Sequence, residues 1–104
     1  MKKVADTLCI LTCFSIRTHF YQKAMRHASA GYQLFPSDIR FVELFAYCLV
    51  LAEDYEEAER VLTKANTATW NTLFLRCRTA VMLDMHPAEK HSRISAYLNF
   101  SKPL

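Results

Sequence analysis

Four cysteines, four histidines and a run of glutamates are the residues of this chain best equipped for chemistry, and their spacing argues against it. Cys9 and Cys13 lie one helical turn apart, a separation that presents two thiolates to a metal, but no C-x-x-C pair and no nearby pair of histidines completes a tetrahedral set. Cys48 and Cys77 stand alone. Reduced thiols filling small apolar spaces in a cytoplasmic protein are what this cysteine usage favours. His19, His27, His86 and His91 do not fall at an H-x-x-x-H spacing and read as surface or turn residues. Glu56, Glu57 and Glu59 read as a solvated helix face rather than an acid–base pair. There is no glycine-rich phosphate loop and no G-x-S-x-G, and no cysteine falls where a repeat would bring it to a histidine. The expectation is therefore a protein that is not an enzyme and needs neither metal nor cofactor.

The elements that position these residues are clearest from Ile39 to Ala65. Val42, Phe45, Ala46, Leu49 and Val50 recur at helical period, as do Tyr55, Ala58, Val61, Leu62 and Ala65, with Glu53 and Asp54 as the polar turn between them. Ala46 and Ala58 are small where two antiparallel helices must approach, and Phe45, Leu49, Tyr55 and Leu62 fill the space around them. One such hairpin cannot bury its own apolar faces, and the chain repeats it. A spacing of 34 residues relates Ala24 to Ala58, Gly31 to Ala65, Leu8 to Val42, Leu11 to Phe45 and Tyr21 to Tyr55, and carries Ala46 to Ala80 and Leu49 to Leu83. The strings FYQKAMRHA, DYEEAERVL and AEKHSRISA fall in register. The predicted fold is all-α: a single domain over 1–104, in three stacked hairpins at about 5–35, 38–66 and 69–100.

These residues resemble the tetratricopeptide repeat. The middle unit matches that pattern at Phe45, Ala46, Leu49, Ala58, Leu62 and Ala65, with Trp70 in place of the usual Pro. The first unit matches at Leu8, Leu11, Ala24, Gly31 and Pro36, but has Thr12, Ser15 and Ala28 at the other marks. The third keeps Ala80 and Leu83 and places Ser92, Ala96 and Asn99 on its second helix, as a capping repeat with an atypical outer face would. Composition agrees: 52% of residues are apolar and only one is glycine, which leaves little material for β-turns. The net charge of +3 is small and mixed in sign along the chain, so nucleic acid is not an expected partner.

Met1-Lys-Lys followed by apolar Leu8 to Ile16 has some look of a signal peptide, but Asp6 and Thr7 interrupt it and no small-x-small cleavage site follows. The run is also too short for stable membrane insertion. A first helix over roughly Asp6 to Thr18 is expected instead, with Asp6 as its N-cap or first-turn acid. That helix is apolar nearly all round, which leaves part of it for another chain. A helix from about Tyr21 to Leu34 follows, then a cap at Ser37 or Asp38, helices from Trp70 to Leu83 and Ala88 to about Phe100, and fraying over Ser101 to Leu104. Pro87 suits the first turn of the last helix.

In such a stack the first helix of each hairpin lines the concave face. On the 34-residue register the lining residues are Asp6, Cys9, Cys13 and Ile16, then Arg40, Glu43, Tyr47 and Val50, then Phe74, Cys77, Val81 and Asp84. Most are apolar or weakly polar, so the groove suits the apolar stripe of an amphipathic helix better than an acidic peptide. Length, degenerate repeats and the segments Tyr55-Glu-Glu-Ala58 and Trp70 to Leu83 are similar to the small tetratricopeptide-like chaperones of bacterial type III secretion, of the YscG and YscY type. The resemblance implies a cytoplasmic bacterial chaperone that keeps a secreted helical subunit, a needle protein or another early substrate, monomeric before export, together with a second small helical co-chaperone. A generic repeat adaptor joining two proteins in a larger assembly is the alternative, and a redox role for the thiols is a third possibility.

Overall fold

The computed structural model describes residues 2–100, and the expected fraying of Ser101 to Leu104 lies outside them. The described residues form six α-helices: α1 (Lys2–Arg17), α2 (Tyr21–Leu34), α3 (Ile39–Leu51), α4 (Tyr55–Lys64), α5 (Trp70–Met82) and α6 (Pro87–Leu98). No strand occurs among the described residues. None of these helices is long and apolar enough to cross a membrane.

Short polar side chains start most of the helices, because the first N–H groups of a helix have no partner within it. Asp38 accepts from the Arg40 amide at 3.1 Å, and Asp54 from the Glu57 amide at 3.3 Å. Thr69 and Thr72 cap each other reciprocally at the start of α5. In α6, Pro87 sits in the first turn and the His86 ring nitrogen accepts from the Ala88 amide. Asp6 does not cap α1, which begins four residues earlier at Lys2. It lies in the second turn and pairs with Arg40 of α3 at 2.9 Å.

The turn inside each hairpin is built alike. His19, Glu53 and Asp84 take positive φ values of 65°, 61° and 51° just past the ends of α1, α3 and α5. In each case the next amide reaches back to the last turn of the helix: Phe20 to the Ser15 carbonyl, Asp54 to that of Leu49, Met85 to that of Ala80. His19 and Glu53 are 34 residues apart, but Glu53 and Asp84 only 31. The N-caps Asp38 and Thr69 are likewise 31 apart. The contraction arises because α4 has 10 residues where α2 has 14. The 34-residue spacing therefore holds from the first hairpin to the second and fails into the third, where Cys77 takes the place of Ala46, and Ala80 that of Leu49.

Each helix packs on the next, and α3 also touches both α1 and α5, which makes it the hub. Among the described residues the backbones of α2, α4 and α6 do not approach one another, although α4 and α6 meet through the side chains of Glu59 and Arg93. Val42, Ala46 and Leu49 of α3 pack with Ala58, Val61 and Leu62 of α4 and Leu75 of α5. Ala46 and Ala58 have no exposed surface, as two closely approaching helices require. In the first hairpin Ala24 and Ala28 are equally closed and pack with Cys48. Thr12 is buried there too, its hydroxyl satisfied by donation to the Leu8 carbonyl at 2.7 Å. Ser92 and Ala96 on α6 and Asn99 at its C-cap are exposed.

Candidate functional site

Side chains that cross between the first helices of the hairpins hold α1, α3 and α5 side by side. Arg40 donates to Asp6 of α1 and to its own capping Asp38. Glu43, also on α3, accepts from the Thr69 hydroxyl at 2.6 Å and the Asn71 amide at 3.3 Å. The charges at the N-terminal end of this face are thereby used within the fold. Hydrogen bonding from Arg40 holds the Asp38 carboxyl below its ordinary value, and hydrogen bonds to Asp38 and Asp6 push the Arg40 guanidinium above its own.

Between α3 and α5 lies a hollow of about 360 Å³ lined by Glu43, Leu44, Tyr47, Asn71, Phe74 and Leu75. Tyr47 is 40% exposed and Phe74 52%, large fractions for aromatic rings on a folded surface. Phe74 leans on Tyr97 of α6, with ring centres 5.9 Å apart. Further along the same helices Val81 is exposed and Val50 half-buried. A second shallow hollow runs along α1, lined by Cys9, Ile10, Cys13, Phe14, Arg17 and Thr18.

Of the residues that the repeat register assigns to the groove, Tyr47 and Phe74 share one hollow, Glu43 forms its polar edge, and Cys13 and Val81 are exposed. Arg40 is exposed but committed to Asp6 and Asp38. Ile16 is half-buried against Ala24, Ala28 and Cys48. Three positions fall elsewhere. Cys9 is buried with Ala5 and Phe41 where α1 meets α3. Cys77 points its thiol at α6, donating to the Arg93 carbonyl at 3.3 Å, and Asp84 sits in the turn paired with Lys90. The 31-residue spacing explains the last two, and it brings Asn71 forward into the hollow in their stead.

Three of the four thiols, Cys9, Cys48 and Cys77, are turned into the packing between helices, whereas Cys13 is exposed. Burial pushes Cys9 and Cys77 above the ordinary thiol value, and burial with the nearby Cys13 pushes Cys48 up to about 11. A redox thiol needs the opposite shift. All four are free, and no cluster of metal-ligating side chains occurs among the described residues.

Glu59 corrects the view of its run as a solvated face. Its carboxylate, half-buried, accepts from Arg93 of α6 at 2.7 Å and from the Thr79 hydroxyl of α5 at 3.0 Å. Arg93 is only 8% exposed and also donates to Glu89 and the Arg76 carbonyl. Burial raises the Glu59 carboxyl, but the hydrogen bonds from Arg93 and Thr79 outweigh it and leave it below its ordinary value.

Compared with protein-family models, with characterised proteins and with solved structures, the chain has no match in any of the three.

Proposed function

We propose that the chain is a helix-binding chaperone: three tetratricopeptide-like hairpins whose first helices hold the apolar stripe of an amphipathic cargo helix. The observation that carries this is the pairing of Tyr47 and Phe74. Two large rings from neighbouring first helices stand exposed on one hollow, while Glu43, its one charged lining residue, is hydrogen-bonded to Thr69 and Asn71 and most of the lining is apolar. Packing of each first helix against the next supports the repeat arrangement. The resemblance to type III secretion chaperones adds the cargo class, a needle protein or another early-exported helical subunit kept monomeric in the cytoplasm. It adds as well a small helical co-chaperone, for which the exposed Ile10 and Phe14 of α1 offer a surface.

Binding of a labelled synthetic peptide with Leu and Phe at i, i+3, i+4 and i+7, read by fluorescence anisotropy, tests the groove. Tyr47→Ala or Phe74→Ala should each cost about 1 to 3 kcal/mol of binding. Tyr47→Glu and Phe74→Glu should cost more, because the new charge is desolvated against an apolar partner. Lys64→Ala, at the far end of α4, should change little. Glutamate variants that keep their helical circular dichroism and still bind would remove the groove from the mechanism; variants that unfold would make both rings core. Co-purification with co-expressed genomic neighbours tests the cargo class.

A further inference from the structure

The last helix is held differently from the others. In α4 the buried residues are Ala58, Val61 and Leu62, whereas in α6 the buried residue is Arg93. The larger apolar side chains of α6 stay open, Ile94 and Leu98 among them. What fastens α6 is a polar knot: the Arg93 guanidinium reaches Glu59 on α4, the Arg76 carbonyl on α5 and Glu89 on its own helix, and its carbonyl takes the Cys77 thiol. One helical turn beyond Arg93, on the same side of α6, Tyr97 meets Phe74, the ring that lines the hollow on the other face of α5.

We propose that Arg93 is a positioning residue for the groove: it fixes α6, α6 fixes Tyr97, and Tyr97 holds the Phe74 ring in place to receive a partner helix. An apolar interface tolerates sliding, but a guanidinium bound to a carboxylate and to a carbonyl on two different helices has one register. Freeing it releases α6 as a unit, because little buried apolar surface remains to hold it. The groove then keeps Tyr47 and loses the backing of Phe74. This inference rests on the groove as the binding face, and the experiment separates the two.

Hydrogen exchange and binding of the same synthetic amphipathic peptide are measured on the whole chain and on the variants Arg93→Met, Tyr97→Ala and Tyr47→Ala. Arg93→Met keeps the bulk of the side chain and removes its donors. It should raise amide exchange in α6 at least about tenfold, leave the core of α3 protected, and weaken the peptide about threefold to tenfold. Tyr97→Ala should weaken the peptide by a similar factor with α6 exchange nearly unchanged, which a purely structural role for Arg93 does not predict. Faster α6 exchange with unaltered peptide affinity, or unaltered exchange in Arg93→Met, overturns the positioning role. If Tyr47→Ala also leaves the peptide bound, the groove itself is wrong, a different result from the failure of Arg93 alone. Should Arg93→Met lose protection throughout α3, Arg93→Lys takes its place: restored global protection with fast α6 exchange and weak binding upholds the role, and restored binding with fast α6 exchange overturns it.

Discussion

The chain's single glycine is not in a turn. Gly31 lies inside α2, and a Cβ built there would collide with the Phe41 ring, with Cγ only 2.8 Å away. Phe41 is fully buried and stacks on Phe35, so the ring has nowhere to retreat. Helix propensity alone would make Gly31→Ala stabilising by about 1 kcal/mol. The overlap should reverse that sign and destabilise by about 1 to 3 kcal/mol. Urea unfolding of Gly31→Ala, beside a Gly31→Ala/Phe41→Leu double variant that makes room, checks it: partial recovery in the double variant is expected, and a more stable single variant would mean the ring can move. The thiols give a second expectation at this scale. Cys13 is exposed, whereas Cys48 is buried with its pKa near 11, so mass spectrometry after iodoacetamide should show Cys13 alkylated first and Cys48 last.

At the scale of the elements, the link between α4 and α6 should make stability depend on pH. The Glu59 carboxyl is below its ordinary value when folded, so the folded state binds that proton less readily than the unfolded chain does. Its contribution is fully present above the unfolded value of about 4.3, and is lost as pH falls through the lower folded value. Glu59→Gln keeps the shape, removes the charge and leaves Arg93 with Glu89. It should cost about 1.5 to 3 kcal/mol at pH 7, the order of a hydrogen bond to a charged group, and less than the breaking of a fully buried pair. Thermal melts of the two proteins should converge toward pH 3. A gap that stays constant from pH 7 to 3 would show that Glu59 contributes by packing rather than by charge.

Over the whole molecule, the apolar surface is unevenly spread. Ile10 is 68% exposed and Phe14 62%, one turn apart on α1, with Val4 and Leu11 open on the same helix and Tyr47, Phe74 and Val81 on α3 and α5. Helix α1 packs on α2 and α3, and the side it turns away from them is not polar. The chain alone should therefore self-associate, with a weight-average mass that rises with concentration in sedimentation equilibrium. Ile10→Lys/Phe14→Lys should suppress this without loss of helix. A monomer independent of concentration in the parent chain would show that these residues do not drive association.

Helical period, the small residues Ala24, Ala46 and Ala58, and the breaks at Glu53-Asp54 and Met85-His86-Pro87 determined by themselves that the described residues form six helices packed in pairs. They are local signals, and each is written in consecutive residues. The 34-residue spacing relates the first hairpin to the second, His19 to Glu53 for example, because those two units keep it. It misplaced Cys77 and Asp84 because α4 stops about one turn short of the length of α2, a boundary set by Ala65 and the Thr69 cap rather than by periodicity. Only the tertiary structure decided which polar residues are buried. Glu59 looks like its neighbours in sequence, and what separates it from Glu56 is the arrival of Arg93 from a helix two elements away. The same holds for Asp6, a capping residue by position but an ion-pair partner because Arg40 lies across the interface. A charge is placed by the partners it meets, and those partners are assembled only when the helices pack.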